Sequence, residues 1–284
     1  MLTDLHLHTN FSDGTLSPTE MVKKADAFGI KLISICDHNT VDAYPQLAVD
    51  CAKKGIKLIT GVEIDCFMGN RYVHLLGYGF NLDDVNLLAM LAECKEKMQY
   101  SNDAVIINMA NDYSIDLDEY AAYVSPPEIG GYKNSNFLLH KGIIKSISEY
   151  FTLRDEYGVK LEDLGLPQLK DACAIIKSAG GVPVLAHPWD KLDKNNFVAE
   201  LKTAADSGIM GLECYYPYDD ETIAELCIDF CNKNNLLITA GSDDHGEFNK
   251  VINGVVYQIG ESMIEVEKLK LNGIRTVLNN ETNN

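Results

Sequence analysis

Short apolar runs alternate with helix signals along most of this chain, and each run ends at or near a side chain able to do chemistry. The runs begin with Leu2–Leu7, Lys31–Cys36, Lys57–Val62 and Tyr72–Tyr78, and resume with Val182–Ala186, Ile209–Leu212 and Leu236–Ala240. They deliver His6, His38, Glu63, His74, His187, Glu213 and Asp243. Between them, Ser17-Pro18-Thr19-Glu20 is a capping box with proline at the first helical position, predicting a helix to Phe28 with Gly29 past its end. Further helices are predicted over 41–54, 167–179, 197–206 and 220–232, then a strand over 254–258 and a helix from about Ser262. Strand–helix alternation implies parallel pairing with helices outside. Polar groups at the C-terminal rim of parallel strands are where barrel enzymes place their chemistry, so the pattern predicts an α/β fold built on a small, closed, seven-stranded barrel. A doubly wound open sheet is the alternative, but it keeps first and last strands apart.

The alternation breaks between about Asn81 and Gly165. Leu87, Leu88, Leu91, Cys94 and Met98 follow a helical period, and a less regular stretch holds Pro126-Pro127 and Gly130-Gly131. This predicts an inserted, mainly helical subdomain over 83–165, with a discontinuous barrel over 1–82 and 166–284.

Seven histidines are present, and six of them (6, 8, 38, 74, 187 and 245) fall at or beside a strand end, leaving only His140 in the insertion. His6 and His8 are two apart, so a strand puts both imidazoles on one face. Grouped with Asp13, Asp37, Glu63 and Asp243, they form an imidazole–carboxylate set suited to zinc, manganese or iron. Nine ligands drawn from these ten groups exceed the needs of one ion, which points to two or three divalent ions sharing a bridging carboxylate. The eight cysteines contain no Cys-x-x-Cys pair and sit mostly in apolar runs, predicting buried thiols rather than disulfides or a thiolate zinc site.

A net charge of −18 argues against long nucleic acid as a partner, since such binding needs a basic stripe. The same charge opposes a phosphate substrate unless divalent cations in the pocket reverse the local field. With 46% apolar residues the chain can build a core, yet no apolar run approaches membrane-spanning length and no leader pattern opens it. A cytoplasmic location is expected, and no protein partner is inferred.

Six separated motifs resemble the PHP (polymerase and histidinol phosphatase) family. They are Asp4-x-His6-x-His8 with Ser12-Asp13-Gly14, Asp37-His38-Asn39-Thr40, Gly61-x-Glu63, His74-Leu75-Leu76-Gly77-Tyr78, Ala186-His187-Pro188, and Gly241-Ser242-Asp243-x-His245-Gly246. The resemblance implies a distorted seven-stranded barrel with a trinuclear metal centre. By motif, His6, His8, Glu63 and Asp243 would hold one ion. Glu63, His74 and His187 would hold a second, and Asp13, His38 and His245 a third. Asp37 and Glu213 match family positions as pocket groups, and Asp4 is expected to orient the strand-end histidines.

The implied reaction is phosphomonoester hydrolysis by a metal-bridging hydroxide, with Asp13, His38, Asp243 and His245 closest to the chemistry. The insertion is similar to that of PHP nucleotide phosphatases, including those acting on 3′,5′-bisphosphonucleotides, where it caps the site and supplies cations to substrate. This chain departs there, reading Glu93-Cys94-Lys95-Glu96-Lys97 and Gly131-Tyr132-Lys133-Asn134-Ser135-Asn136. Lys133 and Asn136 are therefore the expected substrate contacts, with Asp37 and Glu213. The leading expectation is a phosphatase on a small phosphomonoester, a nucleotide. The alternatives are an exonuclease on short oligonucleotides and a non-catalytic module. Loss of ligands would mark the last, and none is missing.

Overall fold

Ser17 starts the first helix as its sequence demands: its hydroxyl accepts from the Glu20 N–H while the Glu20 carboxylate accepts from the Ser17 N–H at 2.9 Å. In the computed structural model, residues 1–217, 221–248, 259 and 264–277 are described. The first half holds β1 (Leu2–Leu7), α1 (Pro18–Ala27), β2 (Leu32–Ile35), α2 (Tyr44–Lys54), β3 (Lys57–Met68) and β4 (Arg71–Tyr78). Four helices follow: α3 (Val85–Tyr113), α4 (Leu117–Ala122), α5 (Lys133–His140) and α6 (Ile147–Tyr157). The alternation resumes with α7 (Leu169–Ser178), β5 (Val182–Leu185), α8 (Pro188–Lys191), α9 (Phe197–Asp206), β6 (Gly211–Tyr215), α10 (Glu221–Asn234), β7 (Leu237–Ala240) and β8 (Ile264–Glu265).

All eight strands form one sheet in the order β7-β6-β5-β4-β3-β2-β1-β8. The sheet curls until its ends meet. Past β7, the Asp243 N–H donates to the His6 carbonyl at 2.9 Å and the His8 N–H to the Asp244 carbonyl at 3.0 Å. First and last major strands thus touch, as a barrel requires and an open sheet forbids.

Three expectations are corrected. The strand count is eight among the described residues, because two-residue β8 pairs antiparallel with the start of β1. Beyond it, Lys270 bridges to Ile238 of β7. Secondly, β4 runs antiparallel to both β3 and β5. β3 continues beyond Glu63 for a further turn's length of hairpin, so Glu63 and His74 lie within strands, not at C-terminal ends. Thirdly, residues 266–268 form a 3₁₀ turn where a helix from about Ser262 was expected. The expected strand over 254–258 lies outside the described residues.

Apolar side chains fill the barrel instead of leaving a pore. Leu5, Leu32, Ile59, Leu76, Val184 and Leu237 meet inside it, closed from below by Leu269, Leu271 and Ile274 of the tail. Burying each such side chain contributes about 1.5–3 kcal/mol. Outside, α1 and α2 cover one side of the sheet, while α7, α9, α10 and the start of α3 cover the other. The helices between β4 and β5 gather around Val105, Ile106, Phe137, Leu138 and Tyr150, a cluster of their own. α3 serves both bodies: Leu87, Met90 and Leu91 pack on the barrel side, and Val105, Ile106 and Met109 pack in the helical cluster. No helix among the described residues is long and apolar enough to cross a membrane.

Candidate metal centre

The chain contact that closes the barrel also builds the site. His6 ends β1, His8 follows it, and the β7 extension lays Asp243 and His245 beside them. Glycine at 241 is needed for this approach, because a β-carbon there would lie 2.1 Å from His6 Cβ and 2.6 Å from Glu213 Oε1. Three residues of the site take left-handed backbone conformations: Asn39 (φ 52°), His187 (φ 25°) and Asp243 (φ 55°). Each costs about 1–3 kcal/mol and persists only where surrounding contacts enforce it.

All nine expected ligands converge. His6 Nε2, His8 Nε2, Glu63 Oε2 and Asp243 Oδ1 lie 3.1–3.3 Å apart in every pair measured. Donors about 2.0–2.1 Å from a common ion stand about 3.0–3.4 Å from one another, so the first quartet has the span of an ion's donor shell. Glu63 Oε1, His74 Nδ1 and His187 Nε2 make a second group, at 2.8, 3.0 and 3.3 Å. His38 Nε2 also approaches Glu63, at 3.3 Å from Oε2. A third group joins Asp13 with His8, His38 and His245. In it Asp13 Oδ1 is 3.3 Å from His245 Nε2 and Asp13 Oδ2 is 3.9 Å from His38 Nε2. Glu63 presents one oxygen to each of the first two groups, the geometry of a bridging carboxylate.

Charge in the cluster favours cations. Burial opposes ionisation of Asp13, Glu63 and Asp243, yet the neighbouring imidazoles hold all three well below the usual carboxylate range. Burial likewise opposes protonation of His6, but Glu213, Asp243 and Glu63 outweigh it and raise its pKa. His245 is pushed up to about 10 by Asp13 and Asp243 against the same penalty. His74 goes the other way, to about 4, through burial and the nearby Lys191 charge. Buried Asp13 Oδ1 and His8 Nδ1 have no hydrogen bond. The carboxylates thus draw positive charge into a cluster where some buried donor atoms still lack a partner, and this donor set fits divalent metal ions.

Other expected groups fall into two sets. Glu213 Oε1 is 2.9 Å from His6 Nδ1, and Glu213 Oε2 accepts the His187 N–H at 2.9 Å. Asp37 accepts from the Thr9 N–H, the Thr9 hydroxyl and the Ser12 hydroxyl, all at 2.7 Å, fixing the loop that carries Asp13. Both carboxylates therefore hold the chain that carries ligands and do not line the cavity. Asp4 accepts from the Ser242 N–H at 3.0 Å and from the His6 N–H at 3.4 Å, so it holds a strand-end histidine through the backbone, not the imidazole, and joins the two closing strands. Its burial raises its pKa to about 7.

Lys133 and Asn136 are also redirected. Lys133 Nζ donates to the Ala121 carbonyl at 3.0 Å and sits over the Tyr120 ring. Asn136 Nδ2 donates to the Gly130 carbonyl at 2.7 Å. Both stabilise their own helical body. In their place, Tyr132 and Ser135 of the same segment line a 190 Å³ cavity that also reaches Asp13, His38 and His74.

Sequence reasoning missed Asp65. It accepts from the Tyr72 hydroxyl and the Asn39 amide, and lies 3.5 Å from His74 Nε2, the nitrogen facing away from Glu63. The signal was available, since Glu63-x-Asp65 and Tyr72-x-His74 each put two polar side chains on one strand face. Ending β3 at Glu63 hid it. Tyr216, whose hydroxyl is 3.2 Å from Asp243 Oδ2, was likewise missed.

Comparison with known proteins agrees with this architecture. The chain is 26% identical to a 5′-3′ exoribonuclease of Haemophilus influenzae, over 85% of this chain and 89% of that one. It is 24% identical to a phosphoribosyl 1,2-cyclic phosphate 1,2-diphosphodiesterase of Eggerthella lenta, covering 88% and 97%. A 3′,5′-nucleoside bisphosphate phosphatase of Chromobacterium violaceum is 26% identical, covering 85% and 86%. Among solved structures, a candidate metal-dependent phosphoesterase of Bifidobacterium adolescentis shares the fold with a TM-score of 0.76 at 23% identity, covering 93% of each chain. The PHP domain profile matches residues 4–156, more than half of the sequence and including six of the nine converging ligands, and this chain belongs to the PHP domain family.

Proposed function

We propose that this chain is a metal-dependent hydrolase that cleaves a phosphate ester of a small phosphorylated nucleotide. The observation that carries the reading is the convergence of three donor groups, linked through Glu63 and His8, beneath one cavity at the barrel mouth. His6, His8, Glu63 and Asp243 would hold one ion, Glu63, His74 and His187 a second, and Asp13, His38 and His245 a third. Two or three divalent cations of manganese, zinc or iron held there supply a nucleophilic water at neutral pH and positive charge for phosphate oxygens.

The chain's own residues do the rest. Glu213 keeps the His6 Nδ1 proton turned away from the centre, leaving the Nε2 lone pair facing it. Asp13 and His38 line the cavity side of the cluster, where an ester's leaving oxygen would lie, and His245 Nε2 stands beside Asp13. Tyr132, half-buried and lining the cavity beside Asp13, helps exclude water from above. In this reading residues 83–165 act as a cap on a barrel formed by 1–82 and 166–284.

Cleavage of phosphodiesters in short oligonucleotides is the second reading, favoured by a 660 Å³ cleft that adjoins the cavity. The names of the relatives support both. Purified protein loaded with Mn²⁺ should release phosphate from a nucleoside bisphosphate or monophosphate, or nucleotides from a short oligoribonucleotide, and the initial rates rank the two readings. Asp243→Ala and His187→Ala should abolish turnover. Undiminished rates in both variants would sink the assignment.

A further inference from the structure

His74 meets the cluster differently from its other five histidines. His6, His8, His38, His187 and His245 make their closest approach to a ligand carboxylate through Nε2. His74 does so through Nδ1, 2.8 Å from Glu63 Oε1. Its Nε2 faces away from Glu63, and Asp65 Oδ1 lies 3.5 Å from it. The strand register produces this arrangement. Asp65 and His74 are direct partners across the antiparallel β3–β4 pair, and Glu63 and Asp65, two apart on β3, share a face. One imidazole is therefore flanked by two buried carboxylates of a single strand, one at each ring nitrogen.

A neutral imidazole carries one N–H, so only one of its nitrogens can offer a lone pair. A proton on Nδ1 would point at Glu63 Oε1 and close that position to an ion. A proton on Nε2 would point at Asp65 and leave Nδ1 open. Asp65 is held so that it accepts there. Asn39 Oδ1 accepts the Asp65 N–H at 3.2 Å while Asn39 Nδ2 donates to Asp65 Oδ2, so one residue fixes both ends of that amide. Asp65 Oδ1 accepts from the Tyr72 hydroxyl and faces His74 with its remaining capacity. His38 Nδ1 is 4.0 Å from the same oxygen and makes no hydrogen bond, so the carboxylate stands nearer His74.

We propose that Asp65 is a positioning residue that keeps the His74 proton on Nε2 and so frees Nδ1 for a metal ion beside Glu63. This rests on reading the cluster as a metal centre, not on which ester is cleaved. Glu213 stands in the same relation to His6 through the other ring nitrogen, Nδ1. Each of the two donor groups that Glu63 joins thus has one carboxylate behind a histidine. Asp65 falls outside all six motifs of the sequence, and only the β3–β4 hairpin places it.

The test uses metal-free full-length protein with isotope-labelled histidine nitrogens. Long-range proton–nitrogen NMR reads which nitrogen is protonated, and the signal missing in His74→Gln assigns His74. The wild type should show His74 protonated on Nε2. In Asp65→Asn the new amide must keep its oxygen toward Asn39 Nδ2, which turns its NH₂ to His74. The imidazole should then switch its proton to Nδ1, with His38 unchanged, and Zn²⁺ competition against a chelating indicator should show about 10- to 100-fold weaker binding of one ion. Combining Asp65→Asn with Asn39→Asp reverses the amide and returns an oxygen to His74, and aspartate tolerates the left-handed backbone at 39. The Nε2 proton and most of the affinity should return in that pair. The proposal is overturned by a wild-type His74 protonated on Nδ1, by a tautomer that does not change in Asp65→Asn, or by Zn²⁺ affinity there within two-fold of wild type. Should the single variant not fold, a proton on Nδ1 in the exchanged pair overturns it equally. If the tautomers behave as expected but wild type binds no metal, the positioning of His74 stands and the metal-centre reading falls.

Discussion

Glu213→Gln tests how the barrel prepares its metal ligands. The two oxygens of Glu213 serve different partners, His6 Nδ1 on one side and the His187 N–H on the other, each at 2.9 Å. Glutamine has the same shape but only one oxygen, so one partner must face an NH₂ group. If that partner is His6, the imidazole is driven to the tautomer with its proton on Nε2, which blocks the lone pair aimed at Glu63 and Asp243. If it is His187, the N–H of a residue held at φ 25° loses its acceptor, and the strain is no longer opposed. A buried donor left without a partner costs about 1–3 kcal/mol, equivalent to about a 5- to 150-fold loss in affinity. Loss of a carboxylate behind a metal-bound histidine is typically worth about 10- to 100-fold, in the same range. Competition of Mn²⁺ or Zn²⁺ against a chelating indicator measures it. Affinity within two-fold of wild type, with an unchanged melting temperature, would refute the positioning role.

Three further outcomes are expected. Gly241→Ala should prevent barrel closure at the site, because its methyl would overlap His6 Cβ; metal stoichiometry near zero in any soluble fraction is the readout, and full loading would contradict the packing argument. Stripping metal with a chelator should lower the melting temperature, since a ligand at about 100 times its Kd adds about 2.7 kcal/mol to stability; re-addition of Mn²⁺ should restore it. All eight cysteines are buried, and burial pushes Cys36, Cys51, Cys94, Cys173 and Cys227 up to about 12. Iodoacetamide at pH 8 should therefore modify almost none of the native protein and all eight thiols after denaturation, with rapid native labelling counting against the core described.

The sequence by itself determined which imidazoles and carboxylates gather at one place and most of the elements. Seven apolar runs punctuated by capping signals located the starts of β1 to β7 to within two residues, though β3 runs on to Met68, because strand and helix periodicities are local properties of side-chain direction. The concentration of six histidines at strand ends pointed to a candidate metal centre, since imidazoles there have no apolar packing role to explain them all. What only the tertiary structure decided are matters of direction and reach. Strand polarity is one: nothing in Tyr72–Tyr78 marks β4 as antiparallel, and the hairpin that reverses it also brings Asp65 behind His74. Side-chain destination is another. Lys133 carries the right charge in the right segment, yet its ammonium is claimed by the Tyr120 ring and the Ala121 carbonyl. Arg154 and Lys191 sit 37 residues apart with no motif between them, and they line the same cavity only because the helical segment packs beside the barrel. Ligand identity is written in residue type and spacing, but the shape of the space above the ligands depends on contacts between distant segments.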